Sequence, residues 1–158
     1  MWKKIKPYVI SLAISLGTGG LSALATRKSM DIYNVIKKPP LAPPSIAFPI
    51  AWTILFALMG ISSAIVFVNR DKNKEEAGKA LKIYGGSLIV NFLWSIIFFN
   101  LKAFWAAFLW LLFLWGLILA TVIKYRKISK TASFLQIPYL LWVTFAGYLN
   151  VAIALMNK

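Results

Sequence analysis

The residues best suited to chemistry in this chain are tryptophans, asparagines and prolines set at helical spacing. Trp52 and Phe56 stand four apart; Asn91, Trp94 and Ser95 share a face; Pro138, Trp142, Ala146 and Asn150 recur at intervals of four. Residues three and four apart are neighbours on a helix, so each set forms a stripe. Indole rings present flat, electron-rich surfaces with one polar N–H. Pro49 and Pro138 precede Trp52 and Trp142 by three and four residues, where a proline loosens the backbone ladder and helps to shape a cavity. The pattern suits a pocket for a flat, apolar ligand. It suits helix packing equally, with asparagines bridging helices and tryptophans at a membrane interface. For Trp2, Trp105 and Trp110 the interfacial role is the simpler reading, and Trp115, in mid-span, is compatible with a lipid contact.

What is missing narrows the chemistry further. The chain has no His and no Cys, and its four acidic residues, Asp31, Asp71, Glu75 and Glu76, all read as loop residues. Haem axial ligands of the usual kind, zinc sites, disulfides and intramembrane proton relays are thereby removed. A hydrolytic triad cannot be assembled either. No metal site is expected, and chemistry of any kind must come mostly from the ligand.

These residues must be positioned by membrane helices. Of 158 residues, 60% are hydrophobic, and five stretches are long enough to cross a hydrocarbon core of about 30 Å, at roughly 20 residues each. They run from about 8 to 25, 47 to 68, 82 to 100, 104 to 123 and 134 to 156. Uninterrupted apolar runs in lipid are helices, since barrel strands would alternate. The expected fold is all-α, an integral membrane bundle of five transmembrane helices forming one domain over 1–158. The first run is longer than a removable signal's apolar region and is expected to stay.

Charge sets the orientation. Twelve Lys and Arg residues flank one side (Lys3, Lys4, Lys6, Arg70, Lys72, Lys74, Lys79, Lys82, Lys124, Arg126, Lys127, Lys130) and six the other (Arg27, Lys28, Lys37, Lys38, Lys102, Lys158). The N-terminus is therefore expected in the cytoplasm, and the absence of a targeting presequence points to a cell membrane of prokaryotic type. The net charge of +14 is dispersed over span ends facing lipid head groups, so no nucleic acid is expected as a partner. On the outer side lies the loop 26–46. Five of the seven prolines fall within eleven residues there and just beyond, from Pro39 to Pro49. Proline rings remove donors and restrict the preceding residue, which predicts a stiff, extended arm.

The segments KPPLAPP with Tyr33 before it, FPIAWTILF, NFLWSIIFF and PYLLWVTFAGYLN resemble, in order and over nearly the whole chain, those of the tryptophan-rich sensory protein or translocator protein family (TspO/MBR, the peripheral benzodiazepine receptor family). The resemblance implies five transmembrane helices with the first loop folded over a pocket. Members bind porphyrins such as protoporphyrin IX and haem, and many also bind cholesterol or isoquinoline carboxamides. Carried over, Tyr33, Pro43 and Pro44 belong to the lid. Phe48, Trp52, Phe56, Asn91, Trp94, Ser95, Pro138, Trp142 and Ala146 belong to the ligand site, with Asn150 closer to packing. In some bacterial relatives the tryptophans matching Trp52 and Trp142 are associated with light- and oxygen-dependent breakdown of protoporphyrin IX, which makes this pair the candidate catalytic residues. They are expected to flank the macrocycle, whose carboxylates would meet Arg27, Lys37 or Lys38.

Porphyrin is expected as a ligand, with no cofactor required. The alternatives are a transporter of porphyrins or other amphiphiles, and an assembly partner. Two departures stand out. Leu41 replaces the usual tryptophan of the lid, removing an aromatic wall on this reading, and the fifth span lacks the proposed cholesterol motif, so cholesterol is not expected. A homodimer is expected by resemblance. Its interface would use either the small-residue stripe Ser11, Ser15, Gly19 and Ala23, which alternatively packs within the monomer, or Gly85 and Gly86.

Overall fold

The computed structural model describes residues 2–157, so Met1 and Lys158, the latter counted above among the outer charges, lie outside the described residues. Five long helices carry the fold: α1 (Trp2–Thr26), α3 (Ala47–Val68), α4 (Lys74–Ser95, continued by a π turn, Ile96–Asn100), α5 (Phe104–Arg126) and α6 (Lys130–Met156). One further turn, α2 (Ile32–Val35), lies in the loop after α1. At 1.5 Å per residue each long helix spans about 30 Å or more. All five are apolar enough to cross a membrane, and Ile14, Leu24, Ile54, Leu109, Phe134 and Leu141 point outward, as a lipid-facing surface requires. The protein is an all-α, multi-pass membrane bundle.

Three helices, α1, α4 and α6, begin earlier than the apolar pattern indicates, and in α4 and α6 the polar first turn is stabilised by a cap rather than by lipid. Asn73 caps α4, its Oδ1 accepting from the Glu76 amide at 3.1 Å, with Glu75 and Glu76 at the positive end of the helix. These two acids are thus helical, not loop residues. Ser129 caps α6 in the same way, accepting from the Ala132 amide at 3.2 Å. Glu76 also pairs with Lys124 and Lys127, at 4.0 and 3.7 Å, tying α4 to the end of α5.

Around the bundle the helices follow the order α1, α3, α6, α5, α4, and α4 meets α1 again. The basic end, where α3 joins α4 and α5 joins α6, is solid. Tyr125, Tyr139, Leu114 and Ile118 are fully buried there and towards the centre. Hydroxyls and amides are paired among them: Ser63 with Tyr125 at 2.7 Å, Gln136 Nε2 donating to Ser62 at 3.2 Å, Asn91 Nδ2 donating to the Tyr139 hydroxyl at 3.0 Å.

Three of the four residues in the small-residue stripe of α1, Ser11, Ser15 and Gly19, are used inside the monomer, while Ala23 is exposed. Ser11 donates to the Gly60 carbonyl at 2.7 Å and Ser15 to that of Phe56 at 2.8 Å. A Cβ on Gly19 would come within 2.7 Å of the Phe56 ring. Close approach of α1 to α3 therefore depends on small side chains. Gly85 and Gly86, where an added Cβ would meet nothing within 4 Å, remain open on α4.

Candidate functional site

The lid end is hollow. Beneath the first loop and between α1, α3, α4 and α6 lies a cavity of about 420 Å³, within the range of roughly 300–1,000 Å³ typical of small-molecule sites. Tyr33, Phe48, Trp52, Phe56, Asn91, Trp94, Ser95, Trp142 and Ala146 all line it. Pro43, Pro44 and Pro138 do not. Pro43 serves the lid instead, its carbonyl accepting from the Tyr33 hydroxyl at 2.6 Å, while Pro44 is exposed. Pro138 lies one turn before Trp142 in α6, off the wall. Asn150, expected as packing, does both jobs. It lines the cavity, accepts from Trp94 Nε1 at 3.0 Å and donates to the Phe104 carbonyl at 2.8 Å.

Other wall residues carried no readable signal. Leu16, Gly20, Ser22 and Ala23 come from α1, whose small residues read only as a packing stripe. Phe98 and Phe99 come from the π turn, and both are buried, at 3% and 8% exposure. Neighbours on a regular helix point about 100° apart, and the wider turn brings both inward.

The aromatic walls meet edge to face. Trp52 and Trp142 lie 6.4 Å apart with planes at 86°, Phe48 and Trp142 6.0 Å at 71°, Tyr33 and Phe48 4.8 Å at 78°. The two tryptophans, expected by resemblance to flank a macrocycle, thus touch each other at nearly a right angle rather than facing as parallel plates. A flat molecule in this arrangement stacks on one of them and meets the edge of the other. Two polar atoms in the cavity wall are buried without a partner: Trp142 Nε1 and Ser22 Oγ. A buried donor left open costs about 1–3 kcal/mol, and both of these belong to residues of the cavity wall.

The arm that covers the cavity is less uniform than its prolines imply. Ile32–Val35 forms one helical turn, set between a run of turns at 27–31 and a non-helical stretch from Ile36 to Ile46. Tyr33, 4% exposed, is the underside of this roof. Burial pushes its phenol above the usual value of 10.0, and the hydroxyl donates to the Pro43 carbonyl. Lys38 is tied to the same residue: its Nζ donates to the Tyr33 carbonyl at 2.6 Å and sits 4.8 Å from the ring centre. Asn157, at the end of α6, brackets Lys37, accepting from its amide at 3.0 Å and donating to its carbonyl at 2.9 Å. None of Arg27, Lys37 and Lys38 lines the cavity. Leu41 is 71% exposed and off the wall, so the missing lid tryptophan removes no wall from this cavity.

Residues 9–156 match the sequence model of the TspO/MBR family. The chain belongs to this family. Its relatives include the tryptophan-rich protein TspO of Chlorobaculum tepidum, 35% identical over 148 residues, covering 94% of this chain and 92% of the relative. The TspO of Archaeoglobus fulgidus is 35% identical over 150 residues, with 94% and 95% covered. Similarity extends to the translocator protein of Bos taurus, 34% identical over 141 residues, with 89% and 83% covered. The family thus reaches from bacteria and archaea to mammals, and in this member its tryptophans Trp52, Trp94 and Trp142 share one cavity.

Proposed function

We infer that the lid-end cavity binds a porphyrin or a comparably flat, amphiphilic anion, and that the protein is a membrane receptor or scavenger for it. One observation carries this reading. A cavity of about 420 Å³ is walled by the aromatic rings of Trp52, Trp142, Phe48 and Phe56 under the Tyr33 roof, with the amide of Asn91 and the hydroxyl of Ser95 among its few polar groups, a lining suited to a flat aromatic ring. By the excess of basic residues at the opposite end, the N-terminus is cytoplasmic and the lid faces outward.

Light-driven chemistry fits the same walls. A photoexcited porphyrin stacked on one indole takes an electron from it, and molecular oxygen takes that electron from the porphyrin, leaving an oxidised tryptophan at Trp52 or Trp142. The second indole, 6.4 Å away, shares the positive charge. On this reading any self-association uses Gly85 and Gly86 of α4, since Ser11, Ser15 and Gly19 already pack on α3; crosslinking of a Gly85→Cys variant in this cysteine-free chain tests it. Titration of purified protein with protoporphyrin IX, read by quenching of tryptophan fluorescence, tests the binding. Saturable quenching supports the receptor reading and its absence contradicts it. Saturable flux in sealed liposomes would instead assign a transporter.

A further inference from the structure

The most exposed part of the cavity wall lies on one side, and it is not the lid. Tyr33 in the roof, Phe98 in the π turn, and Ala146 and Ile153 on α6 are all buried. The wall residues that are exposed are Leu16, Gly20 and Ala23 on α1, and Pro49 and Thr53 on the first turns of α3. All five flank a single seam. Towards the basic end that seam is pinned by the bonds from Ser11 to Gly60 and from Ser15 to Phe56, and by Gly19 against the Phe56 ring. Beyond Ser15, towards the lid, no side-chain hydrogen bond joins the two helices among the described residues.

Depth decides what this opening faces. At 1.5 Å per residue Leu16 lies about 15 Å below the end of α1 at Thr26, well inside a hydrocarbon core about 30 Å thick. The seam therefore opens into lipid. Gly20 and Ala23 leave the gap lined by hydrogen and methyl groups. Just behind it stand Trp52 and the unpartnered Ser22 hydroxyl. The roof, by contrast, is held at both ends: Tyr33 to Pro43, and Lys37 to Asn157 by two reciprocal bonds.

We propose that the cavity is loaded sideways from the bilayer, through a window between the lid-end halves of α1 and α3, and that the lid is a fixed roof rather than the door. This rests on the reading of the cavity as a site for a flat amphiphile and names where that ligand comes from. It is a molecule already dissolved in the leaflet, its anionic edge at head-group depth and its apolar ring sliding between the helices at the level of Gly20.

The test uses the full chain in phosphatidylcholine vesicles that carry protoporphyrin IX in the membrane, with tryptophan quenching followed by stopped flow. Gly20→Trp blocks the window; a Cβ there meets nothing within 4 Å, so the backbone tolerates it. Gly17→Trp is the control, equally open but off the cavity wall. Association slows at least tenfold in Gly20→Trp, and likewise in Ala23→Phe, while Gly17→Trp and Asn157→Ala stay within twofold of wild type. An unchanged rate in both window variants, or a tenfold acceleration in Asn157→Ala, overturns the proposal. If protoporphyrin IX gives no saturable quenching of wild type, the ligand reading fails and the window is tested without it, by acyl-brominated phosphatidylcholine. A variant with Trp52 as its sole tryptophan is then quenched as strongly as one with only Trp115, which is 37% exposed. Quenching no stronger than for a variant with only Trp94, 8% exposed, closes the window and the proposal with it.

Discussion

The two ends of this bundle are built from the same helices and similar residues, yet one is solid and the other hollow. At the basic end buried polar groups pair across helices, Ser63 with Tyr125 and Ser62 with Gln136 and the Ala132 carbonyl, and the atoms left over, Tyr84 Oη and Gln136 Oε1, lie in packed core rather than beside open space. At the lid end Trp142 Nε1 and Ser22 Oγ are buried without partners beside about 420 Å³ of open space. A chain that fills its core so completely at one end is not short of packing solutions at the other. The difference that locates function is the open space itself, because walls facing empty volume forgo packing contacts that a bound molecule restores.

The sharpest way to break this comparison is a matched pair of truncations. Ile118→Ala, in the solid half, should cost about 2–5 kcal/mol, as cavity-forming core substitutions do. Leu149→Ala, equally buried but on the cavity wall, should cost clearly less, since one side of Leu149 already lacks partner atoms. Thermal unfolding in detergent measures both, and equal losses would contradict the division. Next in size is Gly60→Ala. Its Cβ would lie 2.6 Å from Ser15 Oγ and 3.0 Å from the Leu12 backbone, so α1 must shift from α3, at a cost of about 1–3 kcal/mol. Asn157→Ala removes two bonds to Lys37, which should lower stability by about 1 kcal/mol and raise proteolytic cutting between Pro39 and Ile46. The smallest effect on stability is expected for Trp142→Phe. With no bond to lose at Nε1, it should stay within about 0.5 kcal/mol of wild type while weakening protoporphyrin IX binding, as read by fluorescence titration.

Much of this architecture was legible from residue types alone. Five apolar runs permit little else in lipid, and the four-residue recurrence of Trp142, Ala146 and Asn150 put all three on one face of α6. What the sequence hid had physical causes. Glu75 and Glu76 read as loop because hydropathy is blind to a cap such as Asn73. The π turn at Ile96–Asn100 shifts the helical phase in a way no periodicity reveals, and with it Phe98 and Phe99 turn inward. Small residues in α1 carry two roles that look identical in sequence: Ser11, Ser15 and Gly19 seat the helix on α3, whereas Gly20 and Ala23 stand free along the cavity. Tryptophans, too, are ambiguous by type. Trp110 donates to the Val90 carbonyl at 2.8 Å and Trp115 to Thr144 at 2.8 Å, so each fastens α5 to a neighbour rather than serving only at an interface or in lipid.

The most direct test of the central claim fills the hollow end from its floor. Ala146, 6% exposed on the cavity wall, is replaced by Trp, and protoporphyrin IX is titrated into wild type and Ala146→Trp at equal helix content. The account predicts saturable quenching of wild type and its loss in the variant, with little change in unfolding temperature. Undiminished binding by Ala146→Trp would show that the porphyrin sits elsewhere and that the cavity is not its site.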